Sequence, residues 1–468
     1  MWEFKKFKEN IALISDRNER ITYGELEEEG RKIANLISER CLVFSLCTNS
    51  IGSVIGYTGF LNRNIVPVLL NSQMDRELLE NLIESYHPSY LWVPVDKKCY
   101  FQNKTVIYQC YNYVLLETGD NHKALLHEEL GLLLTTSGST GSAKFVRQSY
   151  TNILENARSI VQYLELDDTE RPITTLPMNY TYGLSIINSH LLVGATVLLT
   201  DSTLMQKEFW QFLKEEEATS FGGVPYTYEM LAKLRFFRMD LPHLRYMTQA
   251  GGKLLPELHR QFAEYAQNSN KKFIVMYGQT EATARMGYLP AKYSLDKYGS
   301  MGIAIPGGRF SIIDVDGALI EEADKVGELV YEGANVTMGY AQCADDLAKE
   351  DEWNGKLFTG DMVKRDEDGF YFIVGRKKRF LKIYGNRVNL DEIERMIKDN
   401  FAELDCACTG VDDHLYAYVT ESNEQVQEKV RMFLSAKTRL NPVAFSVEYI
   451  EKIPKNEAGK TLYGELER

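Results

Sequence analysis

The sequence predicts an α/β protein: a large N-terminal α/β body with a β-rich third subdomain, followed by a small C-terminal α+β domain. Three observations predict it. Helix-like and strand-like segments alternate along the first part of the chain, the texture turns to short apolar–polar alternations around Asp-Gly pairs from about Gly299, and after Gly375 a basic run leads into two helix-like and two strand-like segments.

Taken in order, Thr22 and Glu25 have the spacing of a capping box, and Leu26, Ile33, Ala34 and Ile37 recur at helical intervals, so a helix opens here. Residues 209–217 read as a helix running into a strand at 220–224, and 259–266 as a helix running into a strand at 272–276. Such pairs are expected of helices packed on a largely parallel sheet. Asp316-Gly317 and Asp368-Gly369, flanked by alternations such as Phe310 and Ile312 or Tyr371 and Ile373, read as hairpins. Beyond Gly375 a helix is expected around 390–398, a strand near 415–420, a helix over 425–440 and a strand over 445–450. About ninety residues of this kind make a small domain. The boundary therefore falls near Lys378, giving a domain of residues 1–377 and another of 378–468. No internal repeat or low-complexity tract is visible, and no appended carrier domain is expected after Arg468.

With 468 residues, 44% of them hydrophobic and 25% charged, the chain can bury a core in each domain and has the composition of a folded globular protein. A net charge of −13 is the wrong sign for a protein whose main partner is a nucleic acid. The seven cysteines form neither a CxxC pair nor a zinc-spaced set and read as reduced thiols. The first ten residues lack the apolar stretch of a signal peptide, and the most apolar segment, 186–200, is interrupted by Asn188, Ser189 and His190, so no membrane span is expected. The expected location is the cytoplasm.

Residues 132–144, LLLTTSGSTGSAK, join an apolar strand to glycines and hydroxyl side chains that close on Lys144. Glycines let backbone N–H groups approach an anion, the hydroxyls donate to phosphate oxygens and the lysine adds a cation, so phosphate binding is favoured over a plain polar turn. The segment is not a Walker loop, because Ser142 and Ala143 precede the lysine. A second Gly-Lys-Thr at 459–461 is a decoy: Pro454 stands where its first glycine would be needed.

Read together, TSGSTGSAK (136–144), YGQTE (277–281), TGD (359–361), GRKKRFLKIYGNRVNLDEIE (375–394) and PKNEAGK (454–460) carry a resemblance in both order and spacing. The chain resembles the AMP-forming adenylating enzymes: acyl-CoA synthetases, adenylation domains of nonribosomal peptide synthetases and luciferase-type relatives, with the stand-alone acyl-CoA and acyl-carrier-protein ligases nearest. The resemblance implies attack of a carboxylate on the α-phosphorus of ATP, release of pyrophosphate, and capture of the acyl adenylate by a thiol. Bringing two anions together requires a cation where charge accumulates. By motif position that cation is Lys460, with Thr280 donating to the α-phosphate and Glu281 holding Mg²⁺. The nucleotide would meet Thr136, Ser137, Gly138, Ser139, Thr140, Gly141 and Lys144, the glycine pair Gly251 and Gly252, and Tyr277, Gly278 and Gln279. Asp361 would accept the ribose hydroxyls and Arg376 would add a ribose or phosphate contact.

The resemblance also implies a mobile C-terminal domain that turns about a hinge at Lys378, because both half-reactions need its residues at one site. Arg376, Lys377, Lys378, Arg379, Lys382 and Arg387 set six cations within twelve positions, and Lys382 and Gly385 would face the thiol donor, either coenzyme A or a phosphopantetheinyl carrier protein. The acid would enter at 176–195, with Asn179, Tyr180, Tyr182, Phe221 and Gly222 as its pocket. No acidic residue lies between Asn179 and Ala195 to hold a substrate ammonium, which disfavours an α-amino acid. Arg285 either pairs with an anionic group of the substrate or serves a surface or structural pair. Two other functions stay open: a stand-alone amino-acid adenylating enzyme that loads a carrier, and a nucleotide-binding scaffold without turnover.

Overall fold

The computed structural model describes residues 2–466 apart from 121, 136–143, 385, 412 and 456–460; for residues 378, 386 and 387 the backbone alone is described. The chain divides into two compact units, Met1–Phe310 with Tyr331–Leu357, and Ser311–Val330 with Phe358–Arg468.

In the first unit, the expected helix spans Tyr23–Ala34 and carries the full capping box: Glu25 N–H donates to Thr22 Oγ1 (3.2 Å) while Thr22 N–H donates to Glu25 Oε2 (2.8 Å). Ile37 is buried just beyond its end. Helix Lys207–Glu215 precedes strand Ser220–Gly223, and helix Pro256–Asn268 precedes strand Lys272–Tyr277. With Pro172–Ile173 and Tyr246–Gln249, these strands run parallel inside a sheet that has nine strands among the described residues. Each helix returns the chain to the start of the next strand, so the carboxyl ends of the strands gather on one edge.

A second sheet, of eight strands among the described residues, is centred on Leu42–Cys47, Val66–Asn71 and Leu130–Thr135, whose side chains are almost all buried. Leu130–Thr135 pairs antiparallel with Phe145–Ser149, Thr135 opposite Phe145, on either side of residues 136–143. One apolar cluster joins side chains of both sheets to the helices Ile51–Leu61 and Thr181–Val193. Both helices are apolar nearly all round, as helices covered on several faces must be.

In the second unit, strands Lys356–Arg365 and Tyr371–Arg376 form the hairpin expected at Asp368-Gly369, where Gly369 takes φ +86°. Further on, Cys406–Val411, His414–Val419 and Phe445–Tyr449 make a three-stranded sheet packed against helices Leu390–Asn400 and Glu424–Thr438. The strands His414–Val419 and Phe445–Tyr449 are parallel, and helix Glu424–Thr438 supplies the crossover between them. No helix among the described residues is long and apolar enough to cross a membrane.

Candidate active site

Three adjacent parallel strands of the first unit end in register, with Gly223 opposite Gln249 and Gln249 opposite Val275. Their carboxyl ends carry Gly222, the pair Gly251 and Gly252, and Tyr277 with Gly278. Open α/β sheets bind ligands at this edge. Gly251 has φ +85°, and a Cβ there would lie 2.7 Å from the Tyr180 hydroxyl. At Gly278 a Cβ would stand 1.5 Å from the carbonyl of Ala284, so only glycine lets the loop after Tyr277 fold back on itself. Tyr277 itself is buried with its ring edge-on to Phe310 (centroids 6.2 Å apart), and Gln279 Nε2 donates to its hydroxyl (3.4 Å).

The segment that follows is clamped by residues from farther along the chain. Thr337 donates to the Glu281 carbonyl from both its N–H and its Oγ1, each at 3.0 Å. Asn335 Nδ2 donates to the carbonyls of Ala282 (2.7 Å) and Arg285 (2.8 Å), and Thr283 Oγ1 donates back to the Asn335 carbonyl (2.8 Å). Tyr340 donates its hydroxyl to Glu281 Oε1 (2.8 Å), and the ammonium of Lys144 lies 3.2 Å from the centre of the Tyr340 ring. Burial and the adjacent carboxylate raise the Tyr340 pKa, so the hydroxyl keeps its proton and remains a donor.

Glu281 thus presents a half-buried carboxylate whose position is held by backbone and side-chain bonds. Among the described residues no group of three or more His, Cys, Asp or Glu could hold a metal. A single carboxylate fits magnesium, which is commonly held by one or two protein oxygens together with phosphates and water.

The expected acid pocket is aromatic. Asn179 and Tyr180 lead into helix Thr181–Val193, Tyr182 donates its hydroxyl to the Thr248 carbonyl (2.9 Å), and the rings of Tyr180 and Tyr182 meet edge to face at 6.3 Å. Phe221 is buried with its ring edge-on to Phe236 (5.8 Å), so much of its surface belongs to the core. Gly222 accepts from Thr175 Oγ1 through its carbonyl. Asn179 Oδ1 and Gln249 Oε1 are buried acceptors that receive no hydrogen bond among the described residues. Arg285, the residue after the clamped loop, is 2% exposed and is not a surface side chain.

In the second unit, Asp361 and Arg376 are opposite one another on the hairpin, and Arg376 Nε donates to Asp361 Oδ1 at 2.6 Å. Asp361 is 2% exposed. The basic run is not an open row of six cations: Arg376 is spent on Asp361, Lys377 on Glu328 (2.7 Å), and Arg379 on Asp391 (2.8 Å) and Glu394 (2.5 Å). The hairpin brings Asp361, strand Gly327–Gly333 brings Glu328, and helix Leu390–Asn400 brings Asp391 and Glu394 against these positions. Lys382 lies exposed on strand Phe380–Ile383, and Lys378 falls in the 3₁₀ turn Lys377–Arg379. Thr136, Ser137, Gly138, Ser139, Thr140, Gly141, Gly385 and Lys460 lie outside the described residues. On either side of residues 456–460, Lys455 and Thr461 pair as an antiparallel bridge.

Sequence reasoning missed Asn335, Thr337 and Tyr340. Asn335 and Thr337 are buried (3% and 0% exposed) although polar, and their partners lie some fifty residues away, so no local period marks them.

The model of the AMP-binding enzyme family matches residues 2–341, and the chain belongs to that family. It is 28% identical to a 2-succinylbenzoate–CoA ligase of Bacillus cereus (strain Q1) over 417 residues, covering 86% of this chain and 82% of the relative. A ligase of the same name from Bacillus cereus strain ATCC 14579 is 27% identical over 455 residues, covering 94% and 88%. Among solved structures, the O-succinylbenzoate coenzyme A synthetase (MenE) of Bacillus subtilis in complex with AMP superimposes with a TM-score of 0.79 at 22% identity, covering 99% of this chain and 96% of that one. ATP-bound MatB from Rhodopseudomonas palustris gives 0.78 at 20% identity, covering 99% and 97%. The α/β architecture is that of these adenylate-forming enzymes.

Proposed function

We propose that this protein activates a carboxylic acid with ATP, releasing pyrophosphate, and passes the acyl group from the adenylate to the thiol of coenzyme A. The observation that carries the reading is the clamped loop: Thr280 and Glu281 stand at the carboxyl end of one parallel strand, and the aromatic pocket borders the ends of its neighbours. The reacting carboxylate and the α-phosphate would then meet along one sheet edge, which is the positioning the reaction needs. Curated relatives named as CoA ligases support coenzyme A over a carrier protein as the acceptor.

In this reading Thr280 donates to the α-phosphate, Lys144 lies toward the β- and γ-phosphates, and Gly251 and Gly252 let adenine and acid approach the backbone. Glu281 would hold magnesium, which when bound draws charge from the phosphate oxygens. Tyr340 keeps the Glu281 carboxylate aimed. Asp361 and Arg376 take the ribose, and Lys460 neutralises the charge gathering between carboxylate and phosphate. The domain from residue 378 turns about Lys378 between the two steps, bringing Lys382 and Gly385 to the thiol donor.

ATP–pyrophosphate exchange across an acid library, followed by thioester detection with coenzyme A and carrier protein side by side, tests the reading. Exchange with non-amino acids and thioester formation on coenzyme A are expected. Exchange restricted to amino acids would make the protein a carrier-loading enzyme instead. ATP binding with no adenylate from any acid would make it a nucleotide-binding scaffold.

A further inference from the structure

We infer that Arg285 is the counter-ion for a second carboxylate on the substrate, so that the acid activated here is a dicarboxylic acid. The inference rests on the adenylation reading and deepens it by naming the substrate class.

The guanidinium is buried, yet the side chains around it are neutral. Nε and Nη2 donate to the same oxygen, Ser185 Oγ (3.1 and 3.0 Å), Nη1 donates to the Tyr163 hydroxyl (3.3 Å) and to Met276 Sδ, and the group lies 4.3 Å from the centre of the Tyr182 ring. Among the described residues no carboxylate pairs with it. Burial pushes Tyr163 and Tyr182 up to about 12 and Tyr246 higher still, and it pushes His190 down to about 4, so the titratable neighbours carry no charge near neutral pH. Arginine cannot shed its proton to escape burial. A buried cation with hydroxyl, thioether and ring partners alone is costly to keep.

The backbone goes to unusual lengths to aim it. Thr283 and Ala284 have φ of +51° and +91°, conformations that L-residues rarely adopt. Asn156 and Asn335 both donate to the Arg285 carbonyl (2.9 and 2.8 Å), which holds the turn and sends the side chain inward.

It points into a small cavity lined also by Ile186, His190, Phe221, Gly222 and Thr248. Phe221 and Gly222 are residues of the expected acid pocket, so in the adenylation reading the cavity adjoins the space an acid would occupy. A carboxylate entering there would take over N–H groups now spent on the Ser185 and Tyr163 hydroxyls and on Met276 Sδ, in a two-pronged contact.

The test measures adenylate formation with dicarboxylic acids of graded length against their monomethyl esters, which keep the length and remove one charge. For the preferred length, kcat/KM of the diacid should exceed that of its monoester by at least about 30-fold. Arg285→Gln should erase that preference through the KM for the acid, leaving the KM for ATP in place, and Arg285→Lys should restore part of it. Monoesters equal to diacids in the wild type, or a preference unchanged in Arg285→Gln, would overturn the inference while leaving adenylation intact. Failure of every acid with ATP still bound would instead overturn the adenylation reading beneath it. Should Arg285→Gln not fold, the wild-type ratio and Arg285→Lys decide.

Discussion

Two arginines, one in each unit, meet opposite surroundings: Arg379 is half-buried and Arg285 fully buried. In the second unit Arg379 lies between Asp391 and Glu394, stacks on Tyr463 at 3.8 Å and donates to the Cys408 carbonyl. In the first, Arg285 has a serine, a tyrosine, a methionine and a ring. A guanidinium with carboxylates on hand completes a structure; one without them waits for a charge from outside. Burial therefore says little about the role of a charged residue until its partners are named.

The largest effect expected follows from the role proposed for Lys460 between carboxylate and phosphate. Lys460→Ala should slow adenylate formation by about 10³-fold or more while largely sparing thioester formation from a supplied acyl adenylate, with an unchanged melting temperature. Single-turnover assays of the two half-reactions measure this, and equal loss in both would remove the division of labour between them. Next comes the direct contrast between the arginines. Arg379→Gln strands two carboxylates and should cost about 3–5 kcal/mol in a denaturant melt, whereas Arg285→Gln removes an uncompensated charge and should leave the ligand-free protein as stable or more so. Equal destabilisation in both would erase the distinction.

The cavity that holds Arg285 also predicts a pH dependence. His190 Nδ1–H donates to the Ile186 carbonyl (2.8 Å) and Nε2 accepts from the Tyr246 hydroxyl (2.9 Å), so the ring is buried neutral with Arg285 nearby. Burial is the main cause of its fall to about 4; Arg285 adds to it. The unfolded chain takes up this proton below about pH 6.5 and the folded one does not until about 4, so stability is lost as pH falls through that window. His190→Gln should flatten the decline by about 3 kcal/mol at the acid end, as read from melts between pH 7 and 4.5. An unchanged slope would mean that the imidazole is solvated.

Much of the fold was legible because it follows local rules. The capping box at Thr22, the helix–strand alternation into Ser220–Gly223 and Lys272–Tyr277, and the turn at Asp368-Gly369 all depend on residues close in sequence. The glycines at 251 and 278 were legible as motif residues, and the structure supplies their steric reason. Partners were not legible. Nothing near position 285 says that a lone guanidinium will sit under Tyr182, and nothing in the run after Gly375 says that Arg379 is already spent on Asp391 and Glu394. Pairing across a fold depends on which distant segments meet, and charge counts along the chain carry no such information.

Tyr340 is the smallest test and the sharpest for positioning. Its hydroxyl holds Glu281 Oε1 while its ring faces the Lys144 ammonium, so Tyr340→Phe removes one contact and keeps the other. Loss of a hydrogen bond to a carboxylate corresponds to about tenfold. If the hydroxyl aims Glu281 at magnesium, the magnesium concentration giving half-maximal exchange should rise by about that factor, with the KM for the acid and the melting temperature unmoved. A side chain that merely packs would shift the melting temperature and leave the magnesium dependence alone. That outcome would place Tyr340 with Arg379 among the residues that hold the fold, rather than with Arg285 among those left open to a ligand.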